Sequence, residues 1–280
     1  MRSRAKCNSN RVARAPRILA PALSAFLAVA AGGPAIAAAG SERGAAGIPE
    51  LTVYAAASLR EALQALQPAC ETEAGARLRF NFGASNDLAR QIVAAHKADV
   101  FFSADEEWME HVAQAGLVDN ASRRSHLSNR LVVVGREGIA PAVAAPADLA
   151  GPAVSRLSLA NPDAVPAGKY AKAWLVEAGV WDRVQDRIVP AFDVRAALAA
   201  VESGAADLGI VYSTDARLSG KVQVLYEVPE RDGPPISYPV AAMDSRPHLN
   251  ESRRLVACLT GEAAAGVFRG LGFIVRTVSR

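Results

Sequence analysis

Cysteine, histidine and aromatic residues are all scarce in this chain of 280 residues: three cysteines, four histidines and 6% Phe, Trp and Tyr together. The four histidines (His96, His111, His126 and His248) form no i, i+4 pair, and none sits in an H-E-x-x-H motif, so a helical zinc site is excluded. There is no G-x-S-x-G elbow, no phosphate-binding P-loop, and no G-x-G-x-x-G after an apolar run. These absences remove the common routes to hydrolysis, nucleotide binding and dinucleotide chemistry. A cationic surface is missing too. The formal charge is +3, but residues 1 to 37 carry six cations (Arg2, Arg4, Lys6, Arg11, Arg14 and Arg17) and no acid, so the remainder is net −3. Such a body sets up no basic field for nucleic acid or anionic lipid.

A long apolar run occurs near the N-terminus. The basic stretch leads into "ILAPALSAFLAVAA" and then into the small residues "GGPAIAAAG", the pattern of a secretory signal peptide over residues 1 to 38. Cleavage is expected near Ala37 or Ala39. The other reading is an uncleaved anchor, for which the run is short. Cys7 lies in the basic region ahead of the cut and is not placed for lipid attachment there. The mature chain then folds from about Pro49. Of its two cysteines, Cys70 falls at the end of the first expected helix and Cys258 in one near the C-terminus. Export permits a bridge between them; two buried free thiols are the alternative. Their spacing suits no metal site.

Short apolar runs alternate with helix-like stretches. Strands are expected at 51–55, 78–82, 99–104, 130–135, 156–160, 187–191, 207–212, 222–226 and 237–242, and helices at 58–73, 86–97, 105–115, 167–179, 194–203 and 250–270. Leu59, Leu63 and Leu66 give the first helix one apolar face. The alternation implies an α/β fold with mostly parallel sheets and flanking helices. Runs rich in Ala, Pro and Gly mark two joints, Arg130 to Gly151 and Val228 to Val240. Two joints imply two lobes joined by two crossings, with residues 49–131 and 236–280 in the first and 132–235 in the second. A single continuous α/β domain is the alternative.

The chemistry on offer is concentrated at helix starts. Asp105, Glu106 and Glu107 open one helix and read as a solvated first turn, where acids suit the helix dipole. Arg123, Arg124 and Arg130 read as surface cations. Four other loops end in small or hydroxyl residues just before a helix: Ala57-Ser58, with Glu61 at capping-box spacing; Gly83 to Asn86; Pro166 to Gly168; and Asp193-Val194. A helix start leaves about four N–H groups unpaired and carries roughly half a positive charge, which together make an anion site. Ordinary capping is the competing explanation.

The motifs "VYAAASLREAL" (53–63), "FGASNDLARQI" (82–92), "ADVFFSADEEWM" (98–109), "NPDAVPAGKYAK" (161–172), "DVRAALAAVESGAADLGIVYSTDA" (193–216) and "YPVAA" (238–242) occur in an order and spacing that resemble the periplasmic molybdate-binding proteins of ABC transporters. The likeness runs from about residue 51 to "LGFIV" (271–275). It implies a two-lobed periplasmic binding protein fold, a monomer, with the oxyanion held in the cleft between lobes. By motif, Ser58 and Ser85 would donate hydroxyl and backbone N–H bonds, Ala167 and Val194 backbone N–H bonds, and Tyr212 its phenol. These five would touch the oxygens of molybdate or tungstate and not the metal atom. "FGASND" differs from relatives with serine at the positions of Ala84 or Asn86, so Ser85 is the only hydroxyl of that loop. Arg195 and Asp215 are expected to hold helix and loop. The resemblance also implies no catalysis and no cofactor, with a membrane-embedded permease as partner. Two other readings are a receptor for sulfate, thiosulfate or phosphate on the same fold, and an exported hydrolase with Ser58 or Ser85 as nucleophile, although no histidine lies in the four loops.

Overall fold

The computed structural model describes residues 47–244 and 246–276. The expected signal peptide and Cys7 lie outside these residues. Within them the strands are β1 (Glu50–Ala56), β2 (Arg77–Gly83), β3 (Val100–Phe102), β4 (Arg124–Ser128), β5 (Leu131–Arg136), β6 (Leu157–Ala160), β7 (Ile188–Ala191), β8 (Leu208–Tyr212), β9 (Val222–Glu227), β10 (Tyr238–Ala242) and β11 (Ile274–Val275). The helices are α1 (Arg60–Ala74), α2 (Ser85–Ala95), α3 (Glu106–Gln114), α4 (Pro166–Glu177), α5 (Trp181–Val184), α6 (Val194–Glu202), α7 (Ser213–Arg217), α8 (Leu249–Leu259) and α9 (Glu262–Gly270). None of these helices is long and apolar enough to cross a membrane.

The strands form two sheets, ordered β11-β4-β10-β3-β1-β2 and β7-β6-β8-β5-β9, with helices flanking them. This is a two-lobed α/β fold. Its sheets are mixed, which departs from the mostly parallel expectation. The pairs β1–β2, β1–β3, β6–β7 and β6–β8 are parallel, whereas β10–β3, β10–β4, β11–β4, β5–β8 and β5–β9 are antiparallel. The reason lies in the crossings. Strands that follow a helical crossover run parallel. β5 and β10 each enter their sheet directly from the other sheet and run opposite to a neighbour. Between β4 and β5 the chain changes sheet through Asn129 and Arg130 alone, and between β9 and β10 through residues 228–237.

Each departure from the expected elements has a local cause. β4 and β11 escape a search for apolar runs: β4 reads Arg-Ser-His-Leu-Ser, and β11 is two residues long. The helix expected over 250–270 is two helices, because Thr260 turns its hydroxyl back on the Val256 carbonyl and Gly261 caps α9.

Apolar periodicity does place α1. Leu59 and Leu63 are fully buried and Leu66 nearly so, and Gly75, in the left-handed region at φ 67°, ends the helix. The same face carries Cys70, which is bonded to Cys258 of α8 with the two Cα atoms 5.7 Å apart. The bond ties the first helix of the chain to one that arrives after the second crossing, 188 residues later. Closing so long a loop restricts the unfolded chain strongly. Replacing both cysteines by serine is expected to lower unfolding stability by about 4 kcal/mol, measured by denaturant titration of the oxidised protein; an unchanged midpoint would count against this role.

Candidate functional site

Register brings the helix starts to common edges. β1 and β2 run level to Ala56 opposite Gly83, and Ser58 and Ser85 each lie two residues beyond. β6 and β7 run level to Ala160 opposite Ala191, where α4 and α6 begin with Pro166 and Val194. β8, parallel to β6, ends at Tyr212. All five expected donors therefore stand at the carboxyl ends of parallel strands, where open α/β sheets hold ligands. All five are buried.

The small residues have a packing reason as well. A Cβ on Gly168 would meet the Ala160 carbonyl oxygen at 2.0 Å and that of Asn161 at 2.4 Å. Glycine there lets the first turn of α4 press against the end of β6.

The capping-box expectation at Ser58 is not met. Ser58 lies inside a 3-10 turn, Ala57–Leu59, whose cap is Ala56, and α1 starts only at Arg60. Freed from capping, the Ser58 hydroxyl lies 3.3 Å from the Tyr238 hydroxyl. Glu61 pairs instead with Arg195. Ser85 is the first residue of α2 and not its cap; its Oγ accepts the Ala104 N–H at 3.0 Å, which leaves the hydroxyl proton available. Asp193 is a true cap, accepting from the Ala196 N–H at 2.8 Å.

Ser58 and Tyr212 both meet Tyr238. The Tyr212 and Tyr238 rings lie 5.9 Å apart, and the turn holding Ser58 packs on α6. Ser85 and Ala167 are linked less directly, through the Ala104-Asp105 loop and Lys169, whose Nζ is 3.8 Å from Asp105 Oδ2. Lys169 also pairs with Glu107, and Trp108 Nε1 donates to the Ala164 carbonyl at 2.9 Å. These contacts cross between the lobes.

Sequence reasoning missed Asn129 and underrated Tyr238. Asn129, in the two-residue crossing, donates to Tyr238 (3.3 Å) and to Thr214 Oγ1 (2.9 Å), and accepts from the Ser213 hydroxyl (3.1 Å). It joins Ser58's neighbour to the loop after Tyr212. A lone Asn between two strands gives no sequence signal of this. Tyr238 was visible in "YPVAA", but there it reads as an ordinary strand residue.

The solvated first turn holds for Glu107, which is exposed, but not for Asp105 and Glu106. Asp105 is buried and caps α3, accepting from the Trp108 N–H at 2.9 Å. Glu106 accepts from Arg123, Ser125 and Ser237, which hold its carboxyl below the usual range in spite of burial. Tertiary packing, not the helix dipole, governs both acids. Burial pushes Asp105 up to about 6 and Asp215 up to about 7, the latter against the pull of Arg195.

Two features bear on what the site can hold. The Tyr212 hydroxyl is fully buried without a hydrogen-bond partner, and burial keeps it protonated far above its ordinary pKa. A buried hydroxyl in that state is costly unless something accepts from it. The nearby cations are already engaged, Arg195 by Asp215 and Glu61, and Lys169 by Glu107. Among the described residues no cluster of three or more His, Cys, Asp or Glu is arranged to hold a metal ion. None of the five expected donor residues carries a charged side chain.

Two α/β lobes, each a mixed sheet with flanking helices and joined by two crossings, define a periplasmic-type binding fold. The family model for bacterial extracellular solute-binding proteins matches residues 51–274, and the chain belongs to that family; it binds a solute and is not an enzyme. The molybdate-binding protein ModA of Escherichia coli K12 is 38% identical over 237 residues, covering 81% of this chain and 90% of that protein. The Haemophilus influenzae ModA is 36% identical over 233 residues, covering 80% and 89%. Among solved structures, the periplasmic molybdate-binding protein of Azotobacter vinelandii superposes with a TM-score of 0.72 at 25% identity, covering 81% of this chain and all of that one. The sulfate-binding protein SubI of Mycobacterium tuberculosis reaches 0.70 at 19% identity, covering 81% and 87%, a likeness of fold alone.

The folded Asp105 carboxyl holds its proton up to about pH 6, against an ordinary value of 3.8. Folding therefore takes up a proton between those values, and stability falls as pH rises through them. Asp105→Asn, which keeps a good cap, is expected to stabilise the protein by about 2 kcal/mol at pH 8 and little at pH 4. Melting curves at the two pH values check this; an equal effect at both would refute it.

Proposed function

We propose that this chain captures molybdate, and tungstate with it, outside the cytoplasm and delivers it as a monomer to the permease of an ABC transporter. Residues 49–131 and 236–280 form one lobe and 132–235 the other, with the oxyanion between them. Ser58 and Ser85 donate hydroxyl and backbone N–H bonds, Ala167 and Val194 donate backbone N–H bonds, and Tyr212 donates its phenol. Export by the N-terminal signal peptide puts the protein in the periplasm. The observation that carries the reading is the buried, unpartnered Tyr212 hydroxyl, whose ring lies beside Tyr238, the partner of Ser58. The relatives named for molybdate binding support the choice of ligand.

The chemistry follows from the donor set. A dianion entering a closed cleft loses its hydration, at large cost unless each oxygen is hydrogen-bonded. Bonds to a charged acceptor are roughly twice as strong as neutral ones, so fixed amides and hydroxyls suffice. Molybdate and tungstate are larger than sulfate, and a rigid set of donors placed for the larger ions leaves sulfate's oxygens out of reach. A protonated phosphate brings a donor to a site made of donors. Because the donors are split between lobes, the bound anion favours the closed form, which the permease recognises. The hydrolase reading finds no support: Ser58 faces Tyr238 and Ser85 faces Ala104 N–H, and neither has a histidine partner among the described residues.

In a thermal-shift series on the mature protein, molybdate and tungstate are expected to raise the melting temperature strongly, and sulfate and phosphate little. Sulfate acting as well as molybdate would favour the alternative receptor. Tyr212→Phe is expected to weaken molybdate binding by more than about tenfold. It should leave ligand-free stability unchanged or slightly higher, since the lost hydroxyl had no partner. Calorimetry and melting curves read the two effects; undiminished affinity would remove Tyr212 from the site.

A further inference from the structure

Arg195 follows Val194 directly, and Glu61 lies one helical turn beyond Ser58. The Arg195 side chain spans the two lobes. Its Nε is 2.6 Å from Asp215 Oδ1 on α7, and its Nη2 pairs with Glu61 Oε2 on α1. The partners differ in kind. Asp215 is fully buried and belongs to the same lobe as Arg195, whereas the Glu61 side chain is 35% exposed and belongs to the other. Arg195 thus has one permanent partner and one that is lost when the lobes part. On opening, Asp215 keeps the guanidinium paired while Glu61 passes to water, so neither half of the cleft is left with an unpaired buried charge.

We infer that Glu61 and Arg195 form an inter-lobe latch that stabilises the closed form and slows release of the oxyanion. This rests on the binding function proposed above. The placement of Glu61 argues for it. A carboxylate one turn from an anion donor repels the anion, so on electrostatic grounds alone it weakens binding. Pairing across the lobes in the closed form acts in the opposite direction. Removing Glu61 also leaves Arg195 with Asp215, so the second lobe keeps its internal ion pair and its fold. Glu61 is in this account a positioning residue: it acts on the ligand only through the closed state.

The two roles predict opposite signs. Glu61→Gln keeps the shape and removes the charge. If Glu61 were a bystander acid, this variant would bind molybdate more tightly. A latch predicts affinity about fivefold weaker, the size expected for a partly exposed ion pair, and carried mainly by faster release. Trp108, whose indole bonds across the lobes to Ala164, offers a fluorescence signal for stopped-flow release rates, with calorimetry for affinity. Glu61→Asp should recover part of the loss. Raising sodium chloride should weaken wild-type binding more than that of Glu61→Gln, because salt screens the latch. Ligand-free melting curves should be nearly the same for all three proteins. Equal or tighter binding by Glu61→Gln, in a wild type that does bind molybdate, overturns the latch alone. Should the wild type ignore molybdate, the ligand assignment fails, and the latch is judged with whichever of tungstate, sulfate or phosphate binds. Binding of none of the four ends both proposals.

Discussion

Backbone amides at a helix start have no partner inside their own helix, and in this protein several such starts are buried where two lobes meet. The constraint is severe, because a buried N–H without an acceptor costs as much as a lost hydrogen bond. Water can satisfy these groups while the cleft is open. Once it closes, they call for a guest that is all acceptor. The tetrahedral oxyanion we propose is such a guest, and the orphaned Tyr212 hydroxyl adds to the same demand. The rest of the architecture serves to hold these donors still. Level strand ends set their height, Gly168 allows α4 to sit on the end of β6, and Ala104 N–H fixes the Ser85 hydroxyl.

Neutral donors have a consequence for the charged residues around them. An arginine in contact with a dianion would bind it firmly but would not favour one dianion over another of different size. Here Arg195 and Lys169 are each paired with a carboxylate. Arg195 is engaged by Asp215 and Glu61, and Lys169 by Glu107 with Asp105 nearby. The Arg195–Glu61 and Lys169–Glu107 pairs join the lobes. Asn129 works in the same direction at the crossing. By bonding Tyr238 on one side and Thr214 and Ser213 on the other, it ties the two sheets together at the crossing.

Much of the fold was legible because burial imposes a period on the sequence. The leucines of α1 and the apolar runs of β1, β5 and β8 marked their elements to within a residue or two. β4 was not legible, since its polar residues are spent on tertiary partners: His126 is buried against Phe102 and Phe268, and Ser128 bonds the Ile236 carbonyl. Asp105 and Glu106 misled for a related reason. Acids at a helix start read as solvent-facing, yet here the other lobe and β10 cover them.

The sequence by itself determined which loops place small and hydroxyl residues ahead of a helix, a local requirement with a local signal. It also determined that the chain beyond residue 37 carries no net positive charge. Only the tertiary structure decided what those residues face: Ser58 turned toward Tyr238, Glu61 toward Arg195, and Asn129 between the sheets. Those partners lie between 85 and 180 residues apart along the chain. No sequence spacing encodes such a meeting, which depends on two crossings bringing separately folded edges face to face.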